Sequence, residues 1–407
     1  LGDLTGTPGF TMGQRNVERT LCIILCGILA VSAPAMAEIV TFTAGSDQIS
    51  SVGVLDIAQN LHGDLYFGTD NGLSFYDGAW HISHRTYGDT SKGLLSDHVL
   101  ALEFDHEGNL WIGYPNGLQR LEGDSFVTIR DQQMLKSLDI HALLRRDREM
   151  WVAAGNAGIH RYLDGAWRWF QTGGHEGLGC NYVTTMATDP ARDTLYVACK
   201  EGIWFMDGTG DPVAFSPVVK PGLIPEPVRG IHGDPFGGIY IYNASAILHF
   251  TPTDQWGIPI TSQDLLPGIE INDLGVGSDR TLWIATNNGI YAWKDGQVRG
   301  HLDTTTGIRN NAVKKIYIDS SERLWFVTPE NIGFSRIKEN PEVNGPLIPI
   351  TTFELPTTTP APIFTPEPRI TPGISIQGYP EKPASTPDPL TGFLEALWSF
   401  FKRFFPV

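Results

Sequence analysis

The 407 residues are 41% hydrophobic and 11% aromatic, enough for a large core and too many for one compact domain unless the fold repeats. A net charge of −16 repels a phosphate backbone and sets nucleic acid aside as a partner. The acidity reads first as solubility, with attraction of a cationic ligand as its functional alternative.

Met12 opens the segment MGQRNVERT, in which Arg15 and Arg19 form a positive region. An apolar run follows from Leu21 to Ala33, and APAMA ends in small residues at Ala35 and Ala37. This order predicts a secretory signal peptide, with cleavage after Ala37 and residues 1–11 lying upstream of it. The 13 apolar residues are short for an uncleaved anchor, since a span needs roughly 20. Cys22 and Cys26 lack the preceding small residue of a lipid-modified cysteine. The protein is therefore expected outside the cytoplasm: extracellular, on the cell surface or periplasmic.

A short apolar-aromatic stretch then recurs: GDLYFG, GNLWIG, REMWVA, DTLYVA, GGIYIY, RTLWIA and ERLWFV. Its aromatic falls at Tyr66, Trp111, Trp151, Tyr196, Tyr240, Trp283 and Trp325, with gaps of 45, 40, 45, 44, 43 and 42 residues. A β-branched and apolar run begins about twelve residues before each aromatic, as in VLALEF and VKKIYI. Asp105, Asp189 and Asp319 sit between the two runs as turn formers. Asn71-Gly72, Asn116-Gly117 and Asn288-Gly289 follow the aromatic strand and predict two-residue hairpins with positive φ at both central residues. Asp-Gly pairs at 77–78, 164–165, 207–208 and 295–296 mark the next turn, before a fourth run such as AWRWFQT. Four antiparallel strands in roughly 43 residues make one propeller blade. The expected fold is all-β, a seven-bladed β-propeller over residues 38–340. The aromatic would fill the gap between blades, and the small residue after it would give the neighbouring sheet room. The last unit has only three strands, and EIVTFTAG precedes the first, so Ile39–Thr43 is expected to supply the outer strand of the last blade and close the ring.

The pattern GLLSDHVLALEFDHEGNLWIGYPNGLQRL resembles the two-component regulator propeller repeat, which runs from a Leu-Pro-x-x-x-Val segment to Asp-x-x-Gly-x-Leu-Trp-Ile-Gly-Thr-x-x-Gly-Leu. The likeness extends over residues 38–338, strong in units one, two and six and weak in unit five, where IYIYNASAILHF lacks the Gly. It implies an extracytoplasmic sensor domain of the kind that precedes a membrane helix and a histidine kinase. Neither a spanning segment nor a kinase follows the propeller here, so signalling through a kinase of its own is not expected.

Cys180 and Cys199 remain after cleavage. They are expected at the start and end of the first hairpin of blade four, near each other either as a cross-strand disulfide or as two buried thiols.

Beyond Asn340 the composition changes. Residues 341–389 form a Pro/Thr-rich linker, with ten prolines between 356 and 389, which predicts an extended stalk. In residues 390–407, Leu390, Leu394, Leu397, Phe401 and Phe404 make one helical stripe. A helix of about 16 residues measures roughly 24 Å, short of the bilayer core. Its expected place, over 390–405, is a membrane surface, a partner protein or the propeller itself.

The sequence offers no nucleophile elbow, His-Glu-x-x-His, phosphate loop or Cys-x-x-Cys, so no cofactor and no metal is expected. Propellers commonly bind ligands where loops lead into each inner strand. Aligned there are Asp97, His98, Asn181, Tyr182, Glu226 and Asn311, with Arg309 and Asn310 just upstream. Polar groups and a tyrosine around a mouth suit a sugar or a peptide; the same residues also suit strand-initiating caps. Asn243-Ala244-Ser245 is a glycosylation sequon. The expected function is a non-catalytic binding or sensing module for an extracellular glycan, peptide or protein. Two alternatives stand beside it: a lyase or glycosidase with Asp97 and Glu226 at the mouth, and a scaffold for a cell-envelope protein.

Overall fold

The computed structural model describes residues 39–337, apart from 46–47, 85–87, 132, 200–201, 209–213, 219–227, 252–255 and 258–259. The expected signal peptide, stalk and terminal helix, and Glu226, lie outside the described residues.

Seven four-stranded antiparallel sheets follow one another along the chain as the blades of a propeller. Their inner strands are Val54–Gln59, Ala101–Phe104, Ile140–Arg146, Val183–Asp189, Gly230–Gly233, Ile271–Val276 and Lys315–Ile318. Ile39–Phe42 pairs with Ile332–Arg336, Ile39 opposite Ser335 and Phe42 opposite Ile332, as the outer strand of blade seven. The ring thus closes by hydrogen bonds between the two ends of the repeat region. Phe42 adds side-chain closure, its ring 5.3 Å from Trp80 of blade one and 6.2 Å from Trp325 of blade seven.

The wedge aromatics stand between blades. Trp111, Trp151 and Trp325 are wholly buried, and the apolar core is divided into clusters at the junctions, as where Trp111 and Leu118 meet Ile140 and Met150 of the next blade. The Gly after the wedge admits the neighbour: a Cβ on Gly113 would stand 2.8 Å from Ile140 Cγ2, and one on Gly68 2.7 Å from Val99 Cγ1. Such contacts are closer than packed side chains tolerate.

The turn aspartates do more than shape a loop. Asp105 accepts the backbone N–H groups of Glu107 and Asn109 and also the indole N–H of Trp111 at 2.9 Å. Asp319 treats Ser321, Arg323 and Trp325 in the same way, the indole at 2.8 Å. Blade three has a two-residue turn there instead, and Glu149 takes the indole N–H of Trp151 at 2.9 Å.

Two expectations need correction. The Asn-Gly hairpins turn one residue earlier than expected. Thr69 pairs with Gly72, Tyr114 with Gly117 and Thr286 with Gly289, so glycine opens the third strand and alone carries positive φ, at 111°, 145° and 89°. The expected geometry with both residues positive occurs at Asp164-Gly165 and Asp295-Gly296. Cys180 precedes the first strand of blade four, which begins at Val183, because Val183 and not Cys180 faces Cys199 and a bulge follows between Val183 and Thr185.

Candidate binding face and central tunnel

The inner strands begin with a repeated irregularity. Register shifts lie between Val54 and Asp56, Ile140 and Ala142, Val183 and Thr185, and Ile271 and Asp273. A bulge leaves one residue unpaired and re-aims its side chain. His141 and Asn272 occupy two of these positions, and Arg229 stands just before the inner strand of blade five. Each reaches the backbone of the next blade: His141 Nε2 meets Val183 O, Arg229 Nη1 donates to Ile271 O at 2.8 Å, and Asn272 Nδ2 donates to Val313 O at 2.8 Å.

The loops leading into the inner strands share this end of the ring with the hairpins between second and third strands. The glycines show it: Gly72 N–H donates to Asp97 O at 2.5 Å, Gly158 N–H to Asn181 O at 2.8 Å and Gly289 N–H to Asn311 O at 2.6 Å, each bond crossing a blade junction. Asn181 Oδ1 also accepts Thr172 N–H and Asn311 Oδ1 accepts Thr304 N–H, both at 2.8 Å. These two side chains hold loops.

Asn310 donates to Glu330 Oε1 at 2.8 Å and accepts the N–H of Ala312. His98 and Arg309 are exposed, and among the described residues no side-chain hydrogen bond or ion pair engages Arg309. Tyr182 is 44% exposed, and its ring lies flat on His141, centroids 4.8 Å apart and planes 9° from parallel. Cys180, two residues upstream, forms a disulfide with Cys199, Cα atoms 6.5 Å apart. Asn243 is buried, its Oδ1 accepting the N–H groups of Ser245 and Ala246 within the blade-five turn.

Below the rim the tunnel wall carries charges not singled out from the sequence. Lys315 of blade seven reaches Asp56 of blade one at 3.1 Å. Asp56 Oδ2 accepts the N–H of Leu102 in blade two at 2.9 Å. Asp273 of blade six repeats the arrangement, accepting Ile316 N–H of blade seven at 3.0 Å and the hydroxyl of Tyr242 at 3.0 Å. Glu103 does so for Arg145 of blade three. The free inner edge of one blade is thus capped by a carboxylate of the blade before it. A buried N–H without a partner would cost about 1–3 kcal/mol.

Lys315 and Asp56 are partly accessible from the tunnel, at 29% and 27%, while protein surrounds them. Burial works against the charge of Lys315, but Asp56 and Asp273 outweigh it and hold the ammonium above its ordinary range. For Glu103, burial dominates and Asp56 adds to it, pushing the carboxyl up to about 7. His232 is pulled down by burial. Alternation would have shown these residues on inner strands, but not that the edge N–H groups of the next blade would meet them.

Among the described residues no cluster of three or more His, Cys, Asp or Glu is arranged to hold a metal ion. No described helix is long and apolar enough to cross a membrane.

Residues 93–116 match the family model described as two component regulator propeller. No curated protein sequence matches the chain. Among solved structures, the chain is similar to an extracellular domain of B. thetaiotaomicron assigned to the hybrid two component system BT3049, with a TM-score of 0.59 and 21% identity over 73% of this chain and 42% of that one. It is similar to PorZ, a surface component of the type-IX secretion system of Porphyromonas gingivalis, with a TM-score of 0.59 and 12% identity over 72% of this chain and 48% of that one. It is also similar to virginiamycin B lyase from Staphylococcus aureus, with a TM-score of 0.56 and 14% identity over 74% of this chain and 99% of that one. The chain spans about two fifths of the length of the sensor structures it matches. At these identities the likeness shows the fold, which sensors and an enzyme share. The chain is a seven-bladed β-propeller that carries the two component regulator propeller repeat at residues 93–116.

Proposed function

We propose that the protein is an exported, non-catalytic binding or sensing module that takes an extracellular glycan, peptide or protein at the loop face of its propeller. The exposed ring of Tyr182, fixed on His141 at the tunnel mouth, carries this reading. An aromatic side chain held in one orientation offers a flat contact at little entropic cost. Exposed His98 and Arg309 lie on the same face and offer polar contacts that fix orientation. The disulfide accords with an oxidising compartment, and the similar B. thetaiotaomicron structures are extracellular domains.

The test is a glycan and peptide array probed with the full chain, followed by titration of the best hit. Tyr182→Ala should weaken that hit by at least about tenfold, or 1.4 kcal/mol, with the melting temperature little changed. Unchanged affinity would sink the reading. A lyase-type enzyme is the second reading, favoured by one observation: Glu103, poised at about 7, sits in a tunnel with Asp56 and Lys315. Turnover of an array hit that Glu103→Gln abolishes would replace the first reading with the second.

A further inference from the structure

Every blade opens its inner strand with the same bulge. In blades two, five and seven, Leu100, Arg229 and Lys314 donate their backbone N–H groups to Gly113 O, Tyr242 O and Val327 O, all at 2.8 Å. Ala101, Gly230 and Lys315 pair with those same three residues. Two residues then stand opposite one, and the first is re-aimed. In the other four blades the re-aimed residue is Leu55, His141, Thr184 or Asn272. One such residue per blade surrounds the tunnel mouth. None of them is a carboxylate, although the chain carries a net charge of −16, and Arg229 and Lys314 are cations.

Some of these side chains run from one blade to the next. His141, Arg229 and Asn272 each reach the carbonyl of the residue just before the next blade's re-aimed position: Val183, Ile271 and Val313. The same step would take Lys314 to Val54 of blade one, but among the described residues no hydrogen bond or ion pair engages its side chain, which is exposed. Arg309, in the loop leading into the same strand, is equally exposed and unengaged. Other cations at the mouth are matched: Arg229 by Glu270 at 3.3 Å and Lys315 by Asp56 at 3.1 Å. Blade seven therefore presents two unmatched cations to solvent at this end of the ring.

The mouth also separates the ligands considered for it. An extended peptide gains affinity from main-chain bonds to a free sheet edge. Here the carboxylates of Asp56 and Asp273 already take the inner-edge N–H groups of Leu102 and Ile316. A saccharide needs no edge. The C–H face of its ring suits the negative face of an aromatic, which Tyr182 holds exposed, and a carboxylate on it makes strong charge-assisted bonds to lysine and arginine. We propose that the ligand of the loop face is an acidic saccharide, one carboxylate of which is held by Lys314 and Arg309. This rests on the binding function proposed above and names its ligand class.

The experiment is calorimetric titration of the full chain with trisaccharides of galacturonate, glucuronate and mannuronate, each beside its carboxyl-reduced neutral counterpart, and with triglutamate. At least one uronate should bind saturably, at least about tenfold tighter than its neutral counterpart and than triglutamate, and more weakly as salt rises. Lys314→Gln and Arg309→Gln should each weaken it by about tenfold at unchanged melting temperature, and Lys314→Arg should keep it. Arg148→Gln, in the turn at the other end of blade three, should change nothing. No saturable binding of any uronate, equal binding of the neutral counterpart, or unchanged affinity in both glutamine variants would overturn the acidic saccharide. Triglutamate binding as tightly as the uronates would replace it with an acidic peptide. A neutral saccharide that Tyr182→Ala alone weakens would leave the loop-face reading standing and this inference overturned. A uronate that Lys314→Gln weakens and Tyr182→Ala does not would keep the carboxylate site and overturn the reading built on Tyr182.

Discussion

Tyr182 lies flat against His141, and the two residues belong to different blades, His141 to blade three and Tyr182 to the loop leading into blade four. The loop is pinned from both sides. Asn181 holds Thr172 and accepts from Gly158, while Cys180 is bonded to Cys199 at the end of the second strand. Replacing both cysteines by serine opens a loop of 19 residues, and closure of a loop that size is worth about 3 kcal/mol in the chain-entropy account. The double variant should melt lower than wild type, and hydrogen exchange at residues 178–183 should quicken. Tyr182→Ala should do neither. If the double variant melts and exchanges as wild type does, the disulfide does not position Tyr182.

The ring seam predicts a second outcome. Phe42 meets Tyr76, Trp80, Trp325 and Phe334, with centroids 5.3–6.3 Å apart. Truncating an aromatic in such a cluster costs about 3 kcal/mol. Deleting residues 38–44 removes the whole strand and leaves the edge of Ile332–Arg336 open. Phe42→Ala should lower the melting temperature markedly, and the deletion should lower it further and promote association. Unchanged melting of the deletion variant would show that the ring closes without this strand.

The repeat and the seam were legible in the sequence because a propeller repeats one solution. The spacing of Tyr66 to Trp325 fixes the blade length, and the strandless end of the last unit identifies what Ile39–Phe42 completes. The tunnel was not legible. Asp56, Glu103, Asp273 and Lys315 stand at similar places in different copies without sharing a residue type. Their role depends on which N–H the neighbouring blade presents. Asn181 and Asn311 looked like a mouth for the same reason: alignment places a residue at the rim but does not say whether its amide faces solvent or Thr172 and Thr304. The hairpin register was missed by one residue because the sequence does not show that glycine would be needed to reach Asp97 O of the next blade.

The turn carboxylates allow a paired test of the wedge bond. Asp105 is satisfied by Trp111, whereas Asp189 Oδ2 is buried without a donor. A buried acceptor left unpaired costs about 1–3 kcal/mol, and more when charged. Asp189→Asn removes the charge from that unpaired position, so it should hold or raise stability. Asp105→Asn sets an N–H₂ group against the indole N–H of Trp111 and should destabilise by a similar amount, about 1–3 kcal/mol. Urea midpoints of the two variants should therefore move in opposite directions. Equal losses would mean that the indole contributes nothing to the turn.

Two groups enclosed by protein give opposed pH responses over overlapping ranges, 4.5 to about 7 for Glu103 and about 4 to 6.5 for His160. Burial raises Glu103 from 4.5 to about 7, so the folded state favours its neutral form and holds a proton that the unfolded chain has released. That contribution is present below the unfolded value and is lost as pH rises toward 7; at about 1.4 kcal/mol per pKa unit it amounts to about 3 kcal/mol at most. Burial, with Lys136 nearby, depresses His160 from 6.5 to about 4, and its neutral Nε2 accepts the N–H of Lys136 at 3.1 Å. Its contribution is present above 6.5 and is lost as pH falls toward 4. The two slopes oppose each other where these ranges overlap, so the wild-type stability curve should be flatter there than either group alone would make it. Glu103→Gln keeps an acceptor for Phe104 and Arg145 while removing the titration. Relative to wild type it should gain stability at about pH 8 and gain none near pH 4, which unmasks the acid loss due to His160. His160→Gln should do the reverse, steepening the decline as pH rises toward 7. Unfolding free energies of the three proteins across this range decide the matter: parallel curves would mean that neither group titrates differently on folding.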